Sequence, residues 1–499
     1  MNSGQARARL VHLGAVLASG AIIAGCGNNY RPVVTPINSS GPAAQPTSYA
    51  VVVSAPSPTT PGIATIIDYS GDTVMAYAPI GPGPTAFTID ELGADGYTFN
   101  SDHTITNFPI STSLQEKQIL YTTLPSTAEP VNMYAPSSGL WAADLKGNII
   151  DLFNSSPETF VLAIPAATAP IAVIGTGSTQ GQRNFAISQN FVDPTQVACN
   201  TSPTTAVAGL ATPIETATNS PDAPIALGKC PVYAVMSSDT KRLFVLNRGD
   251  DTVTVINAQD NTLDQCSGLV NQLGQPVTCH PTLPLSLSAV AATGITPPNG
   301  TAGMVNTAGP VYAEYVGALQ ELVVADYDGG RISIIDVSLD QYGNDSATFG
   351  TTYTVPVGNN PAAVTVLSDG TRAYTANQAD GTVSIVNVAS HTVEKAALAV
   401  VGHPRTVVST ANSLFGKVYA ASPDSPFLTI IRTDLDIVDT TVLVEGNIVD
   451  VRVTTQAGGS GNANSTSRVP GFGQPCNLPP TLLTNAQILA NPALCATLP

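Results

Sequence analysis

The sequence predicts an all-β fold assembled from repeated four-stranded sheets, and three observations carry that expectation. Composition is the first. Of 499 residues 42 are Gly and 40 are Pro, and no long charged helical pattern runs through the chain, which suits short strands joined by many turns. The second is the stretch Thr371–Asn387, TRAYTANQADGTVSIVN. Two runs of alternating apolar and β-branched residues flank QADG, with Asp380-Gly381 at the turn, the pattern of a half-buried hairpin. The third is recurrence. The second strand of that hairpin returns as ATIIDY, HTITNF, NIIDLF, TPIETA, TVTVIN, RISIID and FLTIIR, most of them starting about 40 to 50 residues apart, the length of one supersecondary unit.

At the N-terminus, residues 1–25 read as processing information rather than fold. Arg7 and Arg9 form a basic region, VHLGAVLASGAIIAG is too short for an ordinary membrane span, and Ile23-Ala24-Gly25-Cys26 looks like a lipobox. Cys26 is therefore the expected lipidation site, with acyl chains such as palmitate anchoring a soluble domain. Gly27, where an inner-membrane retention signal would place Asp, points to the outer membrane or the cell surface. Residues 26–48 (NNYRPVVTPINSSGPAAQPTS after Cys26-Gly27) are rich in Pro, Ser and Gly and read as a flexible tether.

From residue 49 to about 455 the repeat can be written as four strands, A to D. PVYAVMSSD, PAAVTVLSDG and PRTVVSTAN supply A; GLWAAD, RNFAIS, RLFVLN, ELVVAD, RAYTAN and KVYAAS supply B. The family of TVSIVN is C, and segments such as YTVPVGNNP and LAVVGHP end D. One such sheet cannot bury both faces alone, whereas sheets set radially cover one another, which is a β-propeller. YAVVVSA, ATIIDY and DTVMAYAPI at the start have the characters of B, C and D, while IVDVRVTT at the end resembles A. The two ends are thus expected to share one blade and close the ring. The count favours eight blades, with seven as the alternative because the unit at about 84–122 is divergent.

Two excursions interrupt the period, at about 189–211 and 258–310, and a tail follows at 456–499. With Cys26 assigned to lipid, six cysteines remain, an even number in an exported chain. Proximity favours Cys199–Cys230, Cys266–Cys279 and Cys476–Cys495 among the fifteen pairings six cysteines allow. In the tail, residues 484–493 could form a short helix between the last two.

LNRGDDTVTVINAQDNTL, VADYDGGRISIIDV and TANQADGTVSIVNVASHTV are similar to the YVTN/YncE-like repeats of bacterial β-propellers. The resemblance covers roughly residues 49–455 and is strongest from 230 to 445. Tyr374-Thr375-Ala376-Asn377 stands where that family has Tyr-Val-Thr-Asn. The resemblance implies the propeller fold; it implies no single activity, since propellers host many.

Charge narrows the function. The formal net charge is −17, and removing residues 1–25 with Arg7 and Arg9 leaves 16 basic and 35 acidic side chains, or −19. Such a surface excludes nucleic acid as a partner and leaves the lipid anchor as the only membrane contact. No GxSxG elbow, CxxC or HExxH is present, and His12, His103, His280, His391 and His403 have no ligand spacing. GTGSTQG lacks the following Lys of a phosphate loop, and the single Trp141 reads as blade core. Asp326 and Asp328 are weak calcium candidates, with oxygen-rich side chains at a strand connection, but Asp-Gly pairs are also what hairpin turns require. No cofactor and no catalytic residue is expected. The reading that follows is a non-enzymatic, lipid-anchored propeller binding a protein, peptide or glycan at the bacterial envelope, through its insertions and the face they overhang. A lactonase-like or other metal-dependent hydrolase and a structural envelope component are the alternatives.

Overall fold

The computed structural model describes residues 48–454, apart from 58, 137–138, 156–157, 176–182, 192–198, 200–205, 267–269, 271–273, 275, 286–307, 411–413 and 415. Eight antiparallel sheets stand around one axis, each with four strand positions. Blade 1 is built from both chain ends: its A strand is Asn447–Val453, followed by Tyr49–Ala55, Pro61–Asp68 and Thr73–Pro82. Val52 pairs with both Thr65 and Val451, so the ring closes by a strand added from the C-terminal side. The divergent unit is a complete blade 2, with strands Pro84–Ile89, Asp95–Asn100, Thr104–Pro109 and Leu120–Thr123.

The other six follow in chain order. Blade 3 comprises Pro130–Tyr134, Leu140–Asp144, Ile149–Ser155 and Glu158–Pro165; blade 4 comprises Pro170–Gly175, Arg183–Ser188 and Ala208–Glu215, with Ser220–Pro221 and Ile225–Lys229 at its outer edge. Blade 5 has Pro231–Met236, Arg242–Asn247 and Thr252–Asn257, edged by Thr262–Leu263 and Thr282–Pro284. Blade 6 is Pro310–Val316, Glu321–Asp326, Arg331–Asp336 and Thr352–Pro356. Blade 7 is Pro361–Val366, Arg372–Asn377, Thr382–Asn387 and Thr392–Ala399, and blade 8 is Thr406–Ser409, Lys417–Ala421, Phe427–Arg432 and Ile437–Leu443. The hairpin Thr371–Asn387 has the expected register, Arg372 opposite Asn387 and Asn377 opposite Thr382, with Gly381 at φ +63° in the turn.

A strands of blades 2 to 7 begin with Pro, and in each the register shifts just after it, as from Pro361 to Ala363. Proline cannot donate to a ladder, so it is tolerated at the first residue of a strand beside a bulge. Inner strands are cross-linked by side chains as well. Asn132 Oδ1 accepts from Val173 N at 3.0 Å, Glu314 Oε2 from Val366 N at 2.8 Å and Thr365 Oγ1 from Ser409 N at 3.2 Å. Thr406 Oγ1 donates to Asp450 Oδ1 at 2.9 Å, and Arg452 pairs with Asp450 at 3.0 Å.

A second set of polar bonds ties each blade to the segment arriving from the blade before it. B strands end in Ser54, Asn100, Asp144, Ser188, Asn247, Asp326, Asn377 and Ser422, all buried. The residue opposite the position two before that end is Thr65, Thr106, Asp151, Thr212, Thr254, Ser333, Ser384 or Thr429, also buried. In five blades the hydroxyl of this C-strand residue accepts a linker N–H: Gly81 to Thr106, Ala167 to Thr212, Gly228 to Thr254, Gly358 to Ser384 and Val401 to Thr429, at 3.1–3.3 Å. Buried backbone donors need such partners.

Where the B strand ends in Asn, the linker carries Gly, because a Cβ on Gly81, Gly228 or Gly358 would lie 2.1–2.6 Å from the Asn side chain. Where it ends in the smaller Ser188 or Ser422, the linker has Ala167 or Val401. Gly358→Ala is therefore expected to destabilise the protein by about 2 kcal/mol, as overpacking does. Adding Asn377→Ser should recover most of that loss. Urea denaturation of the two variants checks it, and a double variant no better than the single would refute the packing account.

Candidate functional site

Blade 3 departs from this stitching in the residue type itself. Seven blades place Thr or Ser at the C-strand position opposite the B-strand residue two before its end, but blade 3 places Asp151, opposite Ala142. The B strand ends in Asp144, one of whose oxygens, Oδ1, accepts from Glu129 N at 3.1 Å and Gly147 N at 2.9 Å. Its neighbour Asp151 is 5% exposed and has no hydrogen-bond partner among the described residues. The linker from blade 2, residues 124–129, brings its one stitch to Asp144 and none to Asp151.

The result is a cleft of about 960 Å³ between blades 2 and 3, within the size range of ligand sites. Its floor is the Asp144–Asp151 pair; its walls are Leu124, Pro125, Ile149 and the half-exposed ring of Phe160. Burial, and secondarily the Asp144 carboxylate, pushes Asp151 up to about 7. A lysine and a histidine lie at the rim. Lys146 Nζ is held 2.5 Å from Glu129 Oε2. His103 Nδ1 lies 2.8 Å from the Ala128 carbonyl and so donates to it. Neither is bonded to the carboxyl pair.

The cleft opens on the face formed by B–C turns and D–A linkers. The excursion at 189–211 leaves from the same face, between Ser188 and Ala208, and is pinned by a Cys199–Cys230 disulfide with a Cα separation of 5.6 Å. The second disulfide, Cys266–Cys279, also with Cα atoms 5.6 Å apart, lies between the two strands that form the outer edge of blade 5. Part of the second excursion is itself blade edge, at Thr262–Leu263 and Thr282–Pro284. Cys26, Cys476 and Cys495, His12, the tether, the tail with 484–493 and nearly all of GTGSTQG lie outside the described residues.

Asp326 and Asp328 are engaged separately by arginines. Asp326 Oδ2 accepts from Arg331 Nε at 3.1 Å and Ser333 Oγ at 2.7 Å, while both Asp328 oxygens lie 3.0 Å from Arg248 Nη2. Turn acids elsewhere clamp linkers: Asp250 accepts from Lys229 N, Asp380 from Asn359 N and Asp424 from His403 N. His391 stacks on Tyr353 at 3.7 Å, His403 pairs with Asp424, and Trp141 is buried in blade 3. Among the described residues no three His, Cys, Asp or Glu side chains gather as a metal-ligand set. Sequence reasoning missed Asp151, although aligning the eight C strands shows it as the one carboxylate in a column of hydroxyls.

Solved structures of the same fold are similar to this chain. The crystal structure of AztD from Citrobacter koseri matches with a TM-score of 0.53 and 10% identity, over 81% of this chain and 97% of that one. The dihydro-heme d1 dehydrogenase NirN, in complex with DHE, matches with a TM-score of 0.54 and 13% identity, over 85% of this chain and 79% of that one. At such identities the likeness is one of fold. No protein-family model matches the chain, and no curated protein sequence does either.

Proposed function

We propose that this protein is a non-enzymatic binding propeller of the bacterial envelope, exported and lipid-anchored through Cys26, that seats a protein, peptide or glycan on its B–C face. The observation that carries this reading is the distribution of polar side chains. The turn acids that recur from blade to blade hold linkers, and the recurring B-strand amides hold C-strand hydroxyls. The buried carboxylate of Asp151 has no such occupation and floors a cleft of ligand size. Two disulfides suit an oxidising compartment, and the excursion pinned by Cys199–Cys230 shares the face of the cleft.

Full-length protein in detergent tests the reading. It should show no turnover of lactones, aryl esters or aryl glycosides, and Cys26→Ser should move it from the detergent phase to the aqueous phase. Turnover that is lost in Asp151→Asn would replace the binding reading with a hydrolase. Unchanged partitioning of Cys26→Ser would refute the anchor.

A further inference from the structure

We propose that the cleft between blades 2 and 3 recognises a primary alkylammonium group, seated on Asp144 and Asp151 with its stem along the apolar walls. The inference rests on the reading of the cleft as a binding site and adds the chemistry of what it takes. Three observations point the same way. Asp151 is nine-tenths buried, lines the cleft and has no hydrogen-bond partner among the described residues. A second carboxylate, Asp144, is adjacent and only 2% exposed. An unpaired buried acid is costly unless a proton or a cation joins it.

The protein itself does not bring that cation. Around the pair, the charged and titratable groups are Glu129 on the linker, Lys146 on the turn after Asp144, and His103 on the B–C turn of blade 2. Lys146 is taken by Glu129, and His103 donates to a backbone carbonyl. An anion would meet three carboxylates. Glu129 is turned to Lys146, and among the described residues no three His, Cys, Asp or Glu side chains are gathered as a metal-ligand set, so a cation that carries its own hydrogen-bond donors suits the two-carboxylate pair better. An ammonium group supplies three donors to two carboxylates. Phe160, 54% exposed at the cleft wall, offers its ring to the cation or its stem.

Binding is an exchange. Below neutrality the buried Asp151 carboxyl, pushed up to about 7, holds a proton; the ammonium ion arrives charged, that proton leaves to solvent, and two N–H···O bonds form to Asp144 and Asp151. Affinity should then rise about tenfold per pH unit below the Asp151 titration and level off above it. The chemistry is shared by free amines and by lysine side chains, so two probes separate the sources.

Calorimetric titration of the full-length protein in detergent with n-pentylamine and with the peptide acetyl-Gly-Lys-Gly-amide tests this, using 1-pentanol as the neutral isostere. Saturable one-site binding of the amine, at least tenfold weaker at pH 6 than at pH 8, and no saturable binding of 1-pentanol are expected. A peptide that binds more tightly than n-pentylamine identifies a lysine-bearing partner; one that binds equally or less tightly identifies a free amine. Asp151→Thr, which installs the hydroxyl the other blades carry, should reduce amine binding at least tenfold without lowering the melting temperature at pH 8. His103→Gln should keep the pH dependence. Equal binding of 1-pentanol, unchanged binding by Asp151→Thr, or no saturation by either ammonium probe overturns the proposal. None of those results depends on the turnover assays that test the binding reading.

Discussion

Arg242→Met is expected to destabilise the protein by about 3–5 kcal/mol at pH 8, the usual cost of stranding a buried partner charge. Arg242 begins the B strand of blade 5 and is 4% exposed. Its Nη2 lies 3.2 Å from Asp264 and 3.4 Å from Asp345. Asp264 opens the disulfide lobe of blade 5 and also accepts from His280 N, while Asp345 belongs to a loop of blade 6 and lies 2.7 Å from His280 Nδ1. The arginine therefore clamps the base of the lobe to the next blade. Without it, two buried carboxylates face each other.

The penalty should depend on pH. Burial already pushes Asp345 up to about 6, opposed by the His280 bond and by Arg242, and losing the arginine pushes it further. A carboxyl whose folded value lies above its unfolded one binds more protons folded than unfolded, so its contribution falls as pH rises between the two. The gap between wild type and Arg242→Met should be small at pH 4 and full at pH 8. Asp345→Asn on the same background should recover part of it. Urea denaturation at both pH values decides the matter, and a gap independent of pH would show that lost packing, not charge, is responsible.

Much of the fold was legible because C strands are half-exposed at their ends and alternate between apolar and hydroxyl residues. A strands were harder to read. Pro231–Met236 and Pro361–Val366 are buried throughout, so the alternation that marks a strand is missing and only the leading proline signals them. In blade 2, Asp95–Asn100 contains Gly96, and its space is taken by Phe108, whose ring atoms would lie 2.4 Å from a Cβ there. That packing is not visible in a local pattern, which is why the unit looked divergent. The loop at 338–350 carries no Cys and is mostly Ser, Asp, Gly, Asn and Thr; its role emerges only when Asp345 meets Arg242 and His280 across blades.

The site was less legible than the fold, for a physical reason. Asp151 in NIIDLF satisfies every local requirement of a strand, and its meaning comes from the linker that does not reach it. The turn acids are the converse case. As sequence, Asp250 and Asp380 suggest either turns or ion ligands, yet each accepts a linker N–H from the preceding blade. Position in the repeat, more than residue type, separates an occupied acid from a free one.

A chain ending at Gly446 should fail to form the ring, whereas one ending at Thr454 should melt cooperatively. The missing strand, Asn447–Val453, is the inner strand of blade 1, paired with Tyr49–Ala55. It buries Ile448, Val451 and Val453 almost completely, worth about 5–9 kcal/mol in transfer free energy at most. It also accepts Thr406 Oγ1 on Asp450 and Arg405 Nη2 on the Val449 carbonyl, and Ile448 N donates to the Ser425 carbonyl, all on the blade 8 side. Losses of this size match the whole stability of a typical domain. Ala50–Ala55 would then become an unpaired apolar edge on the inside of the ring, a template for association. The truncated chain is expected to be protease-sensitive and to aggregate, with no cooperative thermal transition. Val451→Asp in the chain ending at Thr454 should reproduce much of that defect by burying an unpaired carboxylate. A Gly446 truncation that melts cooperatively within about 2 °C of the longer chain, a shift of roughly 2 kcal/mol for a ring of this size, would mean that the other seven blades hold the circle without a closing strand.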